Sequence, residues 1–155
     1  MLAFRSMSGG LVCGGGPKSF AVFPHSAVEA DISLLPIPQE EPVGQCISWP
    51  GEYDKAGIAI RGIGQSEGQQ VSYVVHFPDV RCAFISSPLL EWSETNVSQL
   101  GTVDLLVLPA ENAKVVQKLL EAVDPRLLFL VPSKDGIDHD VLKVCGAEGK
   151  EHVRE

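Results

Sequence analysis

A chain of 155 residues that is 45% apolar, with a mean hydropathy of +0.12, is the size of one domain and able to bury a core without disulfide or metal staples. Its formal charge of −8 opposes the negative field of nucleic acid and of anionic membranes, so neither is expected as a partner. Cys13, Cys46, Cys82 and Cys145 form no CxxC pair and no Cys-His cluster, which excludes the common zinc-finger spacings and predicts free thiols in a reducing compartment.

The first residues, MLAFRSMSGGLVCGGG, have glycines where a signal peptide needs a continuous apolar region, and no apolar run approaches the roughly 20 residues that span a bilayer. A cytoplasmic location is therefore expected. Residues 1–7 and 11–13 read as strands separated by Ser8-Gly9-Gly10. The following Gly14-Gly15-Gly16-Pro17-Lys18 lacks the GxxxxGK[ST] spacing of a phosphate loop and leads into a strand at 19–23, so a hairpin is predicted. Ile32 and Leu34 supply a further strand face, with a short helical turn expected at 26–30. The segment PIPQEEPV, residues 36–43, holds three prolines and reads as an exposed connector.

The stretch WPGEYDKAGIAIRGI, residues 49–63, is the clearest fold signal. Pro50-Gly51 suits a turn because Pro presets φ and Gly accepts positive φ next to it. A second tight passage at Lys55-Ala56-Gly57 leads to a strand with Ile58 and Ile60 on one face and Ala59, Arg61 and Ile63 on the other. Val71, Tyr73, Val75 and Phe77 alternate with Ser72, Val74 and His76, predicting an antiparallel strand with one buried and one mixed face. Pro78-Asp79 turns it into a strand over 80–85.

In the last third the period changes. An apolar strand at 105–108 ends at Pro109, Asn112 is placed to cap a helix, and Val115, Val116, Leu119, Leu120 and Val123 recur at helical spacing with Lys114, Gln117, Lys118 and Glu121 outside. Pro125 stops the helix before the apolar run 127–131. A right-handed parallel crossover covered on both faces is predicted. A short helix is expected within 137–145. The domain is read as residues 1–147, with a charged tail at 148–155.

In their order, WPGEYDKAGIAIRGI, VRCAFISSPL and LGTVDLLVLPAENAKVVQKLLEAVDPRLLFLVPS resemble the metallo-β-lactamase fold, in particular its UlaG-like small hydrolases, in which PGEYEVKGI, HLGDLG, VDVLLIPVGG and DPKIVIPMHY segments follow one another. The resemblance covers roughly residues 30–132. It implies an α/β protein of α+β character: a β-sandwich flanked by helices, here with an abbreviated N-terminal half. It also implies a metal-dependent hydrolase, with His and Asp ligands at strand ends lowering the pKa of a metal-bound water.

The residues that fall on the family's ligand positions depart from that pattern. Its THxHxDH histidines fall on Ile37, Gln39 and Pro42 and its aspartate on Glu41; the His and Asp of HLGDLG fall on Phe84 and Ser87; the closing His falls on Pro132. Only Glu41 keeps a carboxylate. No catalytic residues, metal or cofactor are therefore expected, and Ile37, Gln39, Glu41, Phe84, Ser87 and Pro132 are expected to line a vestigial cleft able to hold a small ligand or peptide. A relocated hydrolase site drawing on His25, Asp31, Glu41 or Asp138-His139-Asp140 is the competing reading, although three consecutive residues cannot all face one ion on a regular element. His76 falls within a strand and His152 in the tail. Ser86-Ser87 lack a GxSxG elbow, and Cys82 reads as an inert strand residue. The expected role is that of a pseudoenzyme acting as a homo-oligomer or protein partner, since a shortened sandwich leaves apolar sheet to be covered.

Overall fold

The computed structural model describes residues 3–7, 10–14, 19–24, 30–40, 46–55, 57–78, 80–131 and 139–144. Among them eleven strands and three helices follow in order: β1 (Ala3–Met7), β2 (Gly10–Gly14), β3 (Ser19–Val22), β4 (Ile32–Leu34), β5 (Cys46–Ile47), β6 (Gly51–Lys55), β7 (Ile58–Gln65), β8 (Gln70–His76), β9 (Arg81–Phe84), α1 (Glu94–Leu100), β10 (Leu105–Pro109), α2 (Ala113–Val123), β11 (Leu127–Val131) and α3 (His139–Val144). They fall into two compact units, Met1–Tyr73 and Val74–Glu155, with β8 passing from one to the other. This mixed α/β architecture with two sheets is the one expected. The helical turn predicted at 26–30 falls largely, and the charged tail wholly, outside the described residues.

In the first unit, β1 to β5 lie side by side in sequence order. The glycine-rich links make hairpins, as predicted: β1 pairs antiparallel with β2, and β2 with β3 in the register Gly14↔Ser19 to Leu11↔Val22. Strands β3, β4 and β5 then run parallel. The organising stretch forms the β6–β7 hairpin, in register from Gly51↔Gly62 to Lys55↔Ile58, and Gly57 supplies the positive φ of its turn at +79°. Ile58 and Ile60 are buried and Ala59 exposed, as the alternation requires. Trp49 and Pro50 lie against β7: a Cβ on Gly62 would stand 2.9 Å from the Trp49 carbonyl oxygen, and one on Gly64 would stand 2.9 Å from Pro50 Cγ. Gly62 and Gly64 are thus close-approach glycines.

The expectation of a mixed outer face for β8 is corrected. Residues 70–75 are all buried, Ser72 included, because β8 has β7 and β9 as neighbours and is covered on both faces.

In the second unit the strand order is β8, β9, β10, β11. Phe77 N–H donates to Val80 O at 2.9 Å, closing the tight turn into β9. Strand β10 runs parallel to β9 and to β11, with Leu105 opposite both Cys82 and Leu127. Asp104 ties the starts of the three strands together. Its carboxylate accepts from Arg81 N–H at 3.0 Å, its own N–H donates to Arg81 O, and its carbonyl accepts from Leu127 N–H, the last two at 2.9 Å.

The predicted crossover helix is α2, with Val115, Val116 and Leu119 buried and Lys114, Gln117, Lys118 and Glu121 exposed. Asn112 occupies the N-cap position but not as predicted. It is left-handed, with φ 52° and ψ 75°, and its side chain makes no cap hydrogen bond; its carbonyl instead accepts from Val116 N–H at 3.1 Å. Asp124, also left-handed, closes the helix by donating its N–H to Leu120 O at 2.9 Å, one residue before Pro125.

Helix α1 was not anticipated. Ser93 caps it, Oγ accepting from Asn96 N–H at 3.1 Å, and Gly101, φ +64°, ends it. A Cβ on Gly101 would meet the Arg81 guanidinium at 3.0 Å.

The predicted two-faced cover of the crossover fails at β11, where Leu127 is 44% and Phe129 39% exposed, because β11 is the last strand of its sheet. Helix α3 falls inside the predicted 137–145 segment, with Val141 buried. Cys13, Cys46 and Cys82 are free thiols, the first and third buried.

Candidate functional site

In the first unit, the connector after β4 carries three of the vestigial-cleft residues, of which Ile37 and Gln39 are among the described residues. Leu35 N–H donates to Ile47 O at 2.9 Å, and the Pro36 carbonyl accepts from Val71 N–H at 2.8 Å. The Tyr73 hydroxyl, wholly buried, reaches the carbonyls of Leu35 at 2.6 Å and Ile47 at 2.9 Å. A phenol has one hydrogen, so it donates to one of these carbonyls at a time. Burial, more than any neighbouring charge, pushes the Tyr73 phenol far above its ordinary value.

Beyond this anchor, Ile37 is 57% exposed. Gln39 donates its N–H to Ser48 Oγ at 3.1 Å and accepts from Trp49 Nε1 at its carbonyl at 3.0 Å, while its amide Nε2 reaches Ile37 O at 3.4 Å. The contacts with Ser48 and Trp49 pin the connector to the segment after β5, and the contact with Ile37 O lies within the connector itself. Glu41 and Pro42 lie outside the described residues.

In the second unit the corresponding positions lie at the end of β9 and in the loop after it. Phe84 is wholly buried, opposite Val107, and Ser86 is buried beside it. Ser87, joined to Pro88 by a cis peptide, is exposed. Its hydroxyl donates to Glu111 Oε1 at 3.0 Å, and the Leu89 N–H donates to the same oxygen. Glu111 stands just past the end of β10, so its carboxylate clamps the loop leaving β9. The reading of the sequence missed both Glu111 and Tyr73. The only signal for Glu111 was a lone acid directly after an apolar strand. Pro132 lies outside the described residues.

The groups named for a relocated site are dispersed or otherwise engaged where they can be described. Asp31 Oδ2 accepts from Ser19 N–H at 2.8 Å and Ser19 Oγ at 3.2 Å, bracing the start of β3. His76 is exposed at the end of β8, and Asp140 is exposed on α3, which begins at His139. His25, Glu41, Asp138 and His152 lie outside the described residues. Among the described residues no three His, Cys, Asp or Glu side chains come together to hold a metal.

A metal centre is what the resemblance implies, and the donor set tests it. Ile37 and Phe84 carry no donor atom, Phe84 is sealed in the core, and the Ser87 hydroxyl is taken up by Glu111. These positions do not fit a zinc site, which needs His, Cys or carboxylate ligands close to 2 Å from the ion. Cys82 offers no nucleophile: burial first, and then the Asp104 carboxylate, push its thiol up to about 12.

One further concavity belongs wholly to the second unit. A groove of about 360 Å³ between α1 and α2 is lined by Trp92, Val97, Val115 and Leu119, among others, with the exposed Lys118–Glu91 pair, 3.3 Å apart, on its border.

No protein-family model matches the sequence, and comparison with curated proteins finds no match. Solved structures do match. A Thermotoga maritima protein assigned as a zinc-dependent hydrolase of the metallo-β-lactamase superfamily superposes with a TM-score of 0.79 at 14% identity, covering 93% of this chain and 86% of its own. The metallo-β-lactamase fold protein YhfI from Bacillus subtilis gives 0.68 at 9% identity over 91% of this chain and 86% of its own. Igni18, a metallo hydrolase from the archaeon Ignicoccus hospitalis, gives 0.65 at 8% identity over 99% and 94%. At such identities the likeness speaks to architecture, and with the order of strands and helices described above it leads to one conclusion: this chain has the metallo-β-lactamase fold.

Proposed function

We propose that the chain is a metal-free form of the metallo-β-lactamase fold that acts by binding, as a homo-oligomer or as the partner of another protein, and carries out no hydrolysis. The observation that carries this reading is the end of β9 and the loop after it. Where the resemblance places a His and an Asp ligand, the chain has the buried Phe84 and a Ser87 hydroxyl bound by Glu111. A side chain sealed in the core cannot present itself to an ion, and the loop is held shut by a carboxylate that serves as a hydrogen-bond acceptor. The connector after β4 supports the same reading, since Gln39 there is engaged with Ser48 and Trp49.

The test is elemental analysis of protein purified without chelator or His-tag. The expected result is transition metal at background level per chain. Stoichiometric metal would overturn the proposal and direct mutagenesis to His25, Asp31, Glu41 and residues 138–140.

A further inference from the structure

Trp92 precedes the Ser93 cap of α1, and with Val97 of that helix and Val115 and Leu119 of α2 it makes the apolar floor of the groove of about 360 Å³. Helical spacing builds both walls. Glu94, Val97 and Ser98 share one face of α1, and Val115, Lys118, Leu119 and Ala122 share one face of α2. The groove stays open because Ser98 and Ala122 are short side chains where longer ones would fill it. The Trp92 indole N–H is closed off from solvent and has no acceptor among the described residues, so packing and not a hydrogen bond holds the ring.

The size of the groove suits a small molecule. Its volume falls within the roughly 300–1,000 Å³ of small-ligand sites. A protein partner needs about 800 Å² on each side, and α1, with its seven residues, gives a wall of only about 10 Å. A second copy of the chain would also bring a further charge of −8.

Charge selects the kind of molecule. Lys118 and Glu91, paired at 3.3 Å, offset one another on the border. Glu94 lines the same groove and takes no part in the ion pairs among the described residues, so the charge left over is negative. A ligand carboxylate would meet that charge with nothing to offset it. An ammonium would be drawn to it, with the face of an indole nearby to receive a cation.

We propose that this groove binds a small organic cation, its apolar body on Trp92, Val97, Val115 and Leu119 and its protonated amine at Glu94. The site is independent of the metal-free reading, which rests on Phe84, Ser87 and Glu111.

The experiment titrates the full chain with three probes of one size: 3-phenylpropylamine, 3-phenylpropan-1-ol and 3-phenylpropanoate, at neutral pH and low salt. The chain has two tryptophans, so Trp49→Phe leaves Trp92 as the sole emitter. The amine is expected to shift Trp92 emission and to bind about fivefold tighter than the alcohol, with the carboxylate weakest. At about 1 M salt, where the screening length falls to about 3 Å, the advantage of the amine should vanish. Glu94→Gln should bring the amine level with the alcohol and leave the alcohol unchanged. Ala122→Phe, at an exposed position, should fill the groove and abolish binding of all three.

Equal binding of the three probes, or tighter binding of the carboxylate, would overturn the proposal. So would an advantage of the amine that survives Glu94→Gln, or binding that survives Ala122→Phe and therefore lies elsewhere. Absence of binding at millimolar probe, as when a second copy or another part of the chain fills the groove, would overturn it as well. Should Trp49→Phe misfold, the methyl resonances of Val97, Val115 and Leu119 in the wild-type chain report the same titrations.

Discussion

Glu111 Oε1 receives the Ser87 hydroxyl over 3.0 Å, so the end of β10 holds the loop that leaves β9. The same oxygen accepts the Leu89 N–H, and Leu89 is buried. Removing the carboxylate strands that amide, whereas the exposed Ser87 hydroxyl can turn to water. Glu111→Ala should therefore lower stability by about 1–3 kcal/mol, and Glu111→Gln, which keeps an acceptor oxygen, by less. Chemical denaturation of the two variants checks the order, and hydrogen exchange at the Leu89 amide should accelerate in the alanine variant alone.

The Trp49-Pro50 segment lies against β7 so closely that Gly62 has no room for a methyl group, its nearest neighbours being backbone atoms of Trp49 and Pro50 at 2.9 and 3.3 Å. Gly62→Ala should destabilise the chain by about 1–3 kcal/mol through overpacking, since backbone cannot rotate away as a side chain can. Gly57→Ala is the contrast, with nothing within 4 Å of the added Cβ and only its φ of +79° to penalise it. Gly62→Ala should perturb the near-ultraviolet signal of Trp49, and Gly57→Ala should not.

Stability should fall on the alkaline side. The Cys82 thiol is pushed from an ordinary value of 9.0 up to about 12, so below pH 9 both folded and unfolded chains hold its proton and nothing is lost. Between the two values the unfolded chain releases the proton and the folded chain keeps it, so the folded state loses about 1.4 kcal/mol per pH unit from this group. The Tyr73 phenol, also raised, adds a loss of the same sign above pH 10.0. Urea midpoints for wild type and Cys82→Ala across this range test the point. The variant is expected to decline less steeply, and a parallel decline would refute the assignment.

Much of the fold was legible because its signals are local. Alternation at 58–63, the glycines between β1, β2 and β3, and the helical spacing of Val115, Val116 and Leu119 each report a periodicity that neighbouring residues impose on one another. The resemblance in the order of segments pointed to the metallo-β-lactamase fold, and the strand order and the solved structures agree. Helix α1 was legible in principle, from Ser93 at its start and Gly101 at its end, but its seven residues are too few to display a periodic face.

Other features were decided only by what lies across space. The burial of both faces of β8 depends on its neighbours, and its own alternation carries no record of them. The left-handed backbone of Asn112 and the use of its carbonyl in place of its side chain depend on how the chain leaves β10 for α2. Glu111 and Ser87 are 24 residues apart in the chain and meet because β9 and β10 run parallel as neighbours, so the segments that leave them emerge on the same side. The exposure of Leu127 and Phe129 has the same origin: an apolar run states that a strand seeks cover, and only the sheet order places this one at an edge. Sequence period determined which residues form strands and helices here; tertiary position determined which faces were left open, because burial is a property of neighbours and not of the residue itself.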